Sequence, residues 1–431
     1  MTRRSLPRNA TKEKRHLMSA PLSQTMTELI LKKGEERRIR AGHLWVFSNE
    51  IDTRQTPLKG LEPGQFVNLV DSRGKNLGTA YANPASLIAA RLVSPKPNTP
   101  LDAHLLKLRL QTALNLRQTL FEDPFYRLAH AEGDYLPGLV IDRYDNDFAV
   151  QITTAGMEGL KGLICEVMAG LFPGLNIIFR NDTSARILEN LSQDVDSFQA
   201  GPGSNLPAEF KLLENGLQYS VSAQSGQKTG WFYDQRNSRE SAFELARGLS
   251  RQNDNVRMLD AFSYAGGFGV AAAAGGAKEI CFLDASRPAL EFAEKNLAQN
   301  DFPHSPQGRF VEGDALNLLA GMKEAGERFD LVSVDPPAFI KRKKDEEAGL
   351  AAYFRTNELA LALLEQDGYL ISSSCSQHLP LDSLRKIIQR AASRSGKNIQ
   401  IVGEGRQGLD HPAHPAMPET EYLKTFIVRV V

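Results

Sequence analysis

Apolar and polar positions change rhythm twice along the chain. "ELIL" (Glu28–Leu31), "HLWVFSNEI" (His43–Ile51) and "GQFVNLVDSRGKNLGTAYANP" (Gly64–Pro84) are short strand-like runs separated by turn residues, including Pro63-Gly64 and Arg73-Gly74. Such spacing over residues 26–98 predicts a small β-barrel-like module, with "KKGEERRIR" as a basic turn inside it. "SPKPNTP" (Ser94–Pro100) reads as a linker. Leu101–Leu120 then has helical periodicity, with Asp102 as its N-cap. "GLVIDRY" and "FAVQITT" predict a hairpin, "MEGLKGLICEVMAGLF" one amphipathic helix, and "NIIFRND" a further strand, which together make a middle α+β unit over 101–200. Beyond "QAGPGSNLP" (Gln199–Pro207) strands and helices alternate: "VRMLDAF", "EICFLDAS", "GRFVEGDA", "FDLVSVDPP" and "GYLISSSCSQHL" are the strands, and a helix is expected over Tyr353–Gln366. This alternation predicts an α/β unit over 208–431, a parallel sheet with right-handed crossovers. Ligands of such sheets bind outside the carboxyl ends of the strands.

Composition removes some options. Lys plus Arg and Asp plus Glu number 51 each, so total charge gives no support for nucleic-acid binding, which must rest on local patches. Three cysteines without CxxC spacing argue against a disulfide framework and a zinc site, and fit the reducing cytosol. No apolar run reaches membrane-span length, so no membrane is expected. Residues 1–25 predict a disordered basic tail, either simply solvated or tethering RNA.

Chemistry collects at the strand ends. "LDAFSYAGGFG" (Leu259–Gly269) is a glycine loop opening a helix, suited either to a close ligand approach or to a tight strand–helix turn. Asp284 could accept from ribose hydroxyls or cap the next helix, a task Ser286 can perform instead. Asp314 could face an adenine amino group or serve as an N-cap. In "VDPPAF" two prolines stiffen the turn, Asp335 can bond a heterocycle and Phe339 can stack on a base. Cys375 sits where a strand opens into a polar loop, whereas Cys165 and Cys281 lie on apolar faces and read as core.

In this order the motifs resemble the class I S-adenosylmethionine-dependent methyltransferases. Three further stretches narrow the resemblance: "AQSGQKTGWFYDQR" (Ala223–Arg236), Gly42–Phe47, and "DHPAHPAMPETEYLK" near the C-terminus. From Met26 onward the chain is similar to the large-subunit ribosomal RNA methyltransferases that form 5-methylcytosine. The resemblance implies an N-terminal PUA-like RNA-binding domain, a middle α+β domain and a Rossmann-like methyltransferase domain. It implies that S-adenosyl-L-methionine is held by Phe262, Tyr264, Gly266, Gly267, Gly269, Asp284, Asp314, Asp335, Lys228 and Asp234. Cys375 is then the nucleophile, and Asp335 its partner on the base. Large-subunit ribosomal RNA is the implied partner, contacted by Lys32, Arg37, Arg38, Arg40, Phe339, Lys341 and Arg342. A homodimer is compatible with it. His411 and His414 lie among prolines without a third ligand, so no metal is expected.

The cysteine has a defined task. Carbon 5 of cytosine is too poor a nucleophile to take a methyl group unaided, and adding a thiolate to carbon 6 makes it enamine-like. The polar residues Ser372–Ser374, Ser376 and His378 are expected to favour that thiolate. One departure stands out: many RNA 5-methylcytosine enzymes carry a second cysteine where this chain has Pro337. An acidic-Pro-Pro-aromatic turn also resembles enzymes that methylate exocyclic amines of guanine or adenine. A non-catalytic RNA-binding assembly factor is a third reading.

Overall fold

The computed structural model describes residues 26–200, 206–224 and 229–431, so the expected tail over 1–25 and Lys228 lie outside the described residues. Short apolar runs form the first sheet: β1 (Glu28–Ile30), β2 (Trp45–Phe47), β3 (Phe66–Val70), β4 (Asn76–Ala82) and β5 (Ile88–Ser94), in the order β1-β3-β4-β5-β2. Its two edges meet. Leu31 bridges Ile51, and Lys32 N–H donates to Glu50 O and Asp52 N–H to Ile30 O, both at 2.8 Å. Closing the sheet on itself removes the unpaired edges that an open sheet would expose. The expected basic turn is instead a short helix, α1 (Glu36–Arg40), because Ile39 gives it an apolar anchor in the core.

In the middle unit α2 (Ala103–Leu120) starts where expected, with the Asp102 carboxylate accepting from Leu105 N–H at 2.8 Å. β6 (Phe125–His130), β7 (Leu139–Tyr144), β8 (Asp147–Ile152), β9 (Asn176–Arg180) and β10 (Val195–Gln199) form a second sheet in sequential order. The single helix expected over 157–172 is two, α3 (Ala155–Glu158) and α4 (Lys161–Leu171). Thr154 caps the first, and the chain leaves helical geometry at Leu160, next to Gly159, a poor residue for a helix interior.

A hairpin of β11 (Glu209–Glu214) and β12 (Leu217–Ser222) leads into α5 (Arg236–Leu249). Then follow β13 (Arg257–Ala261), α6 (Gly267–Ala274), β14 (Glu279–Asp284), α7 (Arg287–Ala298), β15 (Gln307–Glu312), α8 (Ala315–Glu324), β16 (Phe329–Val334), α9 (Glu346–Ala362), β17 (Leu364–Ser374), α10 (Leu381–Arg394), β18 (Ile399–Gly405) and β19 (Lys424–Val430). The seven strands run in the order β15-β14-β13-β16-β17-β19-β18. The order reverses between β13 and β16, and ligand crevices form outside the carboxyl ends of strands at such a switch point.

Two expectations need correction here. The sheet is not wholly parallel: β19 inserts antiparallel between β17 and β18. The segment between β18 and β19 carries no long helix, so it joins antiparallel neighbours rather than making a parallel crossover. Helix α9 also starts and ends earlier than expected, because Glu346 and Glu347 suit its positive N-terminal end and β17 begins two residues after it.

The units share cores. Met417, from the loop before β19, is fully buried among the apolar residues of the first sheet. Tyr144, Ala149 and Ile178 of the middle sheet pack with Phe210, Trp231 and Tyr233. No helix among the described residues is long and apolar enough to cross a membrane.

Candidate active site

A cavity of about 430 Å³ opens at the carboxyl ends of β13, β14, β16 and β17. Its floor is the turn after β13. Phe262 and Tyr264 both adopt left-handed backbone, φ 61° and 48°, a conformation costly for residues with side chains. Neighbouring groups hold it: Ser263 N–H donates to Leu283 O at 2.9 Å and Tyr264 N–H to the Asp284 carboxylate at 2.8 Å. Gly266 is left-handed too (φ 78°), and a Cβ there would come within 2.8 Å of Ala293 Cβ. Gly269 faces Phe282, where a Cβ would meet the ring at 2.2 Å, so it serves the packing of α6 on β14 rather than the cavity. Of the three predicted glycines only Gly267 lines the cavity.

Beneath this turn Asp260 is buried and accepts from Gly269 N–H at 2.9 Å and Ser333 Oγ at 2.8 Å. Burial pushes its pKa up to about 7, against the lowering effect of those two bonds. A carboxyl protonated in the fold but ionised in the unfolded chain loses stabilising power as pH rises from about 4 to about 7. Asp260→Asn keeps one acceptor and gains a donor for Ser333. Its melting temperature should therefore vary less than the wild type's across that interval; parallel curves in thermal melts would refute the assignment.

Asp284, Asp314 and Asp335 all line the cavity. Ser286 caps α7, as expected, yet Asp284 is engaged: its oxygens accept from Tyr264 N–H and, at 2.9 Å, from Ser286 N–H. Each oxygen keeps a lone pair for a ribose hydroxyl. Asp314 serves as the N-cap of α8, accepting from Asn317 N–H at 3.0 Å, and also borders the cavity. Asp234 is buried, lines the cavity too and accepts from Tyr422 Oη at 2.6 Å. Ser263 Oγ is buried without a protein partner and lines the same space. Two carboxylates at adjacent strand ends, an unpaired hydroxyl and the aromatic rings of Trp231, Phe232, Phe262 and Phe268 fit an adenosyl group with a charged amino-acid tail.

Cys375 lines this cavity and is half-buried. The serines around it are structural rather than turned to the sulfur. Ser372 Oγ donates to Asn357 at 2.7 Å, Ser373 Oγ shares a bond with Thr425 at 2.8 Å, and Ser374 Oγ donates to Tyr353 Oη at 2.9 Å. The same phenol lies 2.7 Å from Ser376 Oγ. Tyr353 thus grips the residues on both sides of the cysteine, and it packs edge-on against Phe339 with ring centres 4.8 Å apart. Cys165 and Cys281 are buried, and burial pushes both thiols up.

Other predicted residues lie elsewhere. Lys32 donates to Asn49 O, Arg38 pairs with Glu50 at 2.7 Å and Arg40 with Asp71 at 2.6 Å, so three of the four N-terminal cations are tied down within the first sheet's unit. Arg37 is exposed there. Lys341 and Arg342 are exposed beside the cavity; Arg342 pairs with Asp345, while Phe339, Lys341 and Lys344 line an adjoining open groove. His411 is buried against Asp410 at 2.8 Å, and the His414 ring accepts from Ala416 N–H at 3.1 Å. Trp231, Gln235, Arg239 and Leu423 line the cavity without having been singled out, although all but Arg239 sit in two of the three stretches that narrowed the resemblance.

A PUA-like domain model matches residues 29–95, and an S-adenosylmethionine-dependent methyltransferase model matches 200–361. A protein of Yersinia pestis bv. Antiqua (strain Angola) named ribosomal RNA large subunit methyltransferase I is 35% identical over 406 residues, covering 94% of this chain and 99% of its own. A protein of the same name from Yersinia pseudotuberculosis serotype O:3 (strain YPIII) matches equally. Among solved structures, a Streptococcus mutans chain described as a SAM-dependent methyltransferase shares the fold, with TM-score 0.76 and 21% identity over 94% of this chain and all of the other. A second solved methyltransferase with the same figures is complexed with SAH. The chain is therefore an S-adenosylmethionine-dependent methyltransferase with a PUA-like domain, and it belongs to the ribosomal RNA large subunit methyltransferase I family.

Proposed function

We propose that this chain methylates carbon 5 of a cytosine in large-subunit ribosomal RNA through a covalent bond from Cys375. The observation that carries the reading is that Cys375 and Asp335 face one cavity together with Asp284 and Asp314. The names of the curated relatives supply the RNA class. Asp284 holds the ribose hydroxyls, Asp314 the adenine side, and Ser263 and Asp234 the amino-acid end of S-adenosylmethionine. When bound, that cofactor supplies the electrophilic methyl group which carbon 5 accepts.

The protein's own residues prepare the base. The Cys375 thiolate forms a bond to carbon 6, and the electrons of the 5,6 double bond move to carbon 5. Asp335 bonds the ring's nitrogen 3 and amino group and, when protonated, donates to nitrogen 3 as negative charge builds. After methylation a water takes the carbon 5 proton, that bond's electrons restore the 5,6 double bond, and the sulfur–carbon bond breaks to return the Cys375 thiolate. Tyr353 keeps the sulfur in place throughout. Phe339, Lys341 and Lys344 guide the target strand in their groove, with the PUA-like domain adding RNA contacts through Arg37. Flipping a stacked base costs a few kcal/mol, which favours a cytosine already loosened in its RNA.

The test is mass mapping of modified nucleosides in large-subunit ribosomal RNA from cells with and without this protein. Loss of one 5-methylcytidine is expected. Loss of a methylguanosine or methyladenosine instead, with every 5-methylcytidine retained, would replace this reading with exocyclic-amine methylation.

A further inference from the structure

The carbon-5 mechanism needs a thiolate, and a free thiol titrates at about 8.5. The hydroxyls of Ser372, Ser373 and Ser374 are engaged with Asn357, Thr425 and Tyr353. A cation enters from β19. Lys424 pairs with Ser374 across the β17–β19 ladder, and its Nζ donates to Ser376 O at 2.6 Å. Its side chain therefore spans from one neighbour of Cys375 to the other. Lys424 is half-buried; burial pushes its ammonium pKa down and the Cys375 sulfur draws it back up.

Other charged and titratable groups border the same cavity and loop. Asp335, in the turn after β16, and Asp234 line the same cavity, where an ionised carboxylate would oppose a second negative charge. Tyr353 on α9 and Tyr422 before β19 are driven up by burial and stay neutral at pH 7. Arg239 is held by Glu214, and His378 and Lys341 are exposed.

We propose that Lys424 is the electrostatic partner that keeps Cys375 ionised at neutral pH. The cysteine's proton passes to solvent, and the ammonium compensates the sulfur charge before it attacks the base. This assignment rests on the carbon-5 reading but is tested apart from it.

The measurement is the iodoacetamide alkylation rate of Cys375 in the full chain against pH, read by peptide mass spectrometry. The wild type should show its inflection clearly below about 8.5. Lys424→Gln should raise that inflection by a unit or more and slow alkylation about tenfold at pH 7, because the rate follows the thiolate fraction. Lys424→Arg should stay near the wild type. Methyl transfer by Lys424→Gln should recover toward wild-type rates as pH rises to 9, which loss of a purely structural tether would not allow. An unperturbed wild-type inflection, or a Lys424→Gln profile that superimposes on it, would overturn the proposal even if the variant folds poorly. A shifted profile in a protein whose Cys375→Ala variant still turns over would keep the pair and discard the carbon-5 mechanism.

Discussion

Replacing Cys375 with alanine is expected to lower methyl transfer by at least about 10³-fold, in the range seen when other enzymes lose their nucleophile. Binding of S-adenosylmethionine should remain within about twofold, because a single Sγ on one wall contributes little of the buried contact. The expectation follows from where the sulfur stands. Of the cofactor-side carboxylates, Asp284 closes β14 and Asp314 follows β15, whereas Cys375 follows β17 on the other side of β16. Removing the sulfur leaves Asp284, its two backbone donors and the aromatic wall untouched. Calorimetry with the cofactor and a tritiated-methyl transfer assay separate the two effects. RNA carrying 5-fluorocytosine at the target should trap the wild type as a denaturant-stable adduct, since fluorine cannot leave as the proton does, and should not trap the variant. Substantial turnover by Cys375→Ala would sink the covalent mechanism and favour attack by an exocyclic amine.

The strand ends were legible because topology does the gathering. Asp284, Asp314, Asp335 and Cys375 each close or follow a strand of one sheet, so a correct order of strands and helices brings them to one rim without knowledge of any contact. Local signals also located Asp102 and Ser286 as caps. Partners distant in sequence were not legible. No local pattern says that Arg239 meets Glu214 from 25 residues away, or that Tyr353 holds Ser374 and Ser376 from 21 and 23 residues away. The basic cluster after β1 looked like a surface patch because Glu50 and Asp71 stand 12 and 31 residues from their arginines. The antiparallel insertion of β19 escaped for the same reason: its neighbours are settled by a loop that reaches the first sheet's core through Met417, not by local periodicity.

The largest stability effect is expected at Glu214, whose side chain is almost fully buried at the end of β11. Its carboxylate accepts from Arg239 Nε at 2.5 Å and Nη2 at 2.8 Å, and from Trp231 Nε1 at 3.1 Å. The Arg239 guanidinium sits over Trp231, 4.4 Å from the ring centre, and both line the cofactor cavity. Glu214→Ala strands a buried guanidinium and an indole N–H together, and breaking such a pair from one side costs about 3–5 kcal/mol. The cavity wall should loosen with it, so cofactor affinity falls as well. Glu214→Gln keeps one acceptor and should lose less of both. The pH dependence provides a separate check. Burial alone would raise the Glu214 pKa, but the charges of Arg239 and then Arg236 outweigh it, leaving the carboxyl below its usual range. A depressed carboxylate stabilises the fold above the unfolded value of about 4.3, and that stabilisation fades as pH falls through the lower folded value. Urea denaturation of the methyltransferase unit, followed by Trp231 fluorescence, should show the deficit of Glu214→Ala in full at pH 7 and narrowing in acid. A deficit under about 1 kcal/mol at pH 7, the worth of an exposed ion pair, would mean that the pair is solvated rather than part of the cavity wall.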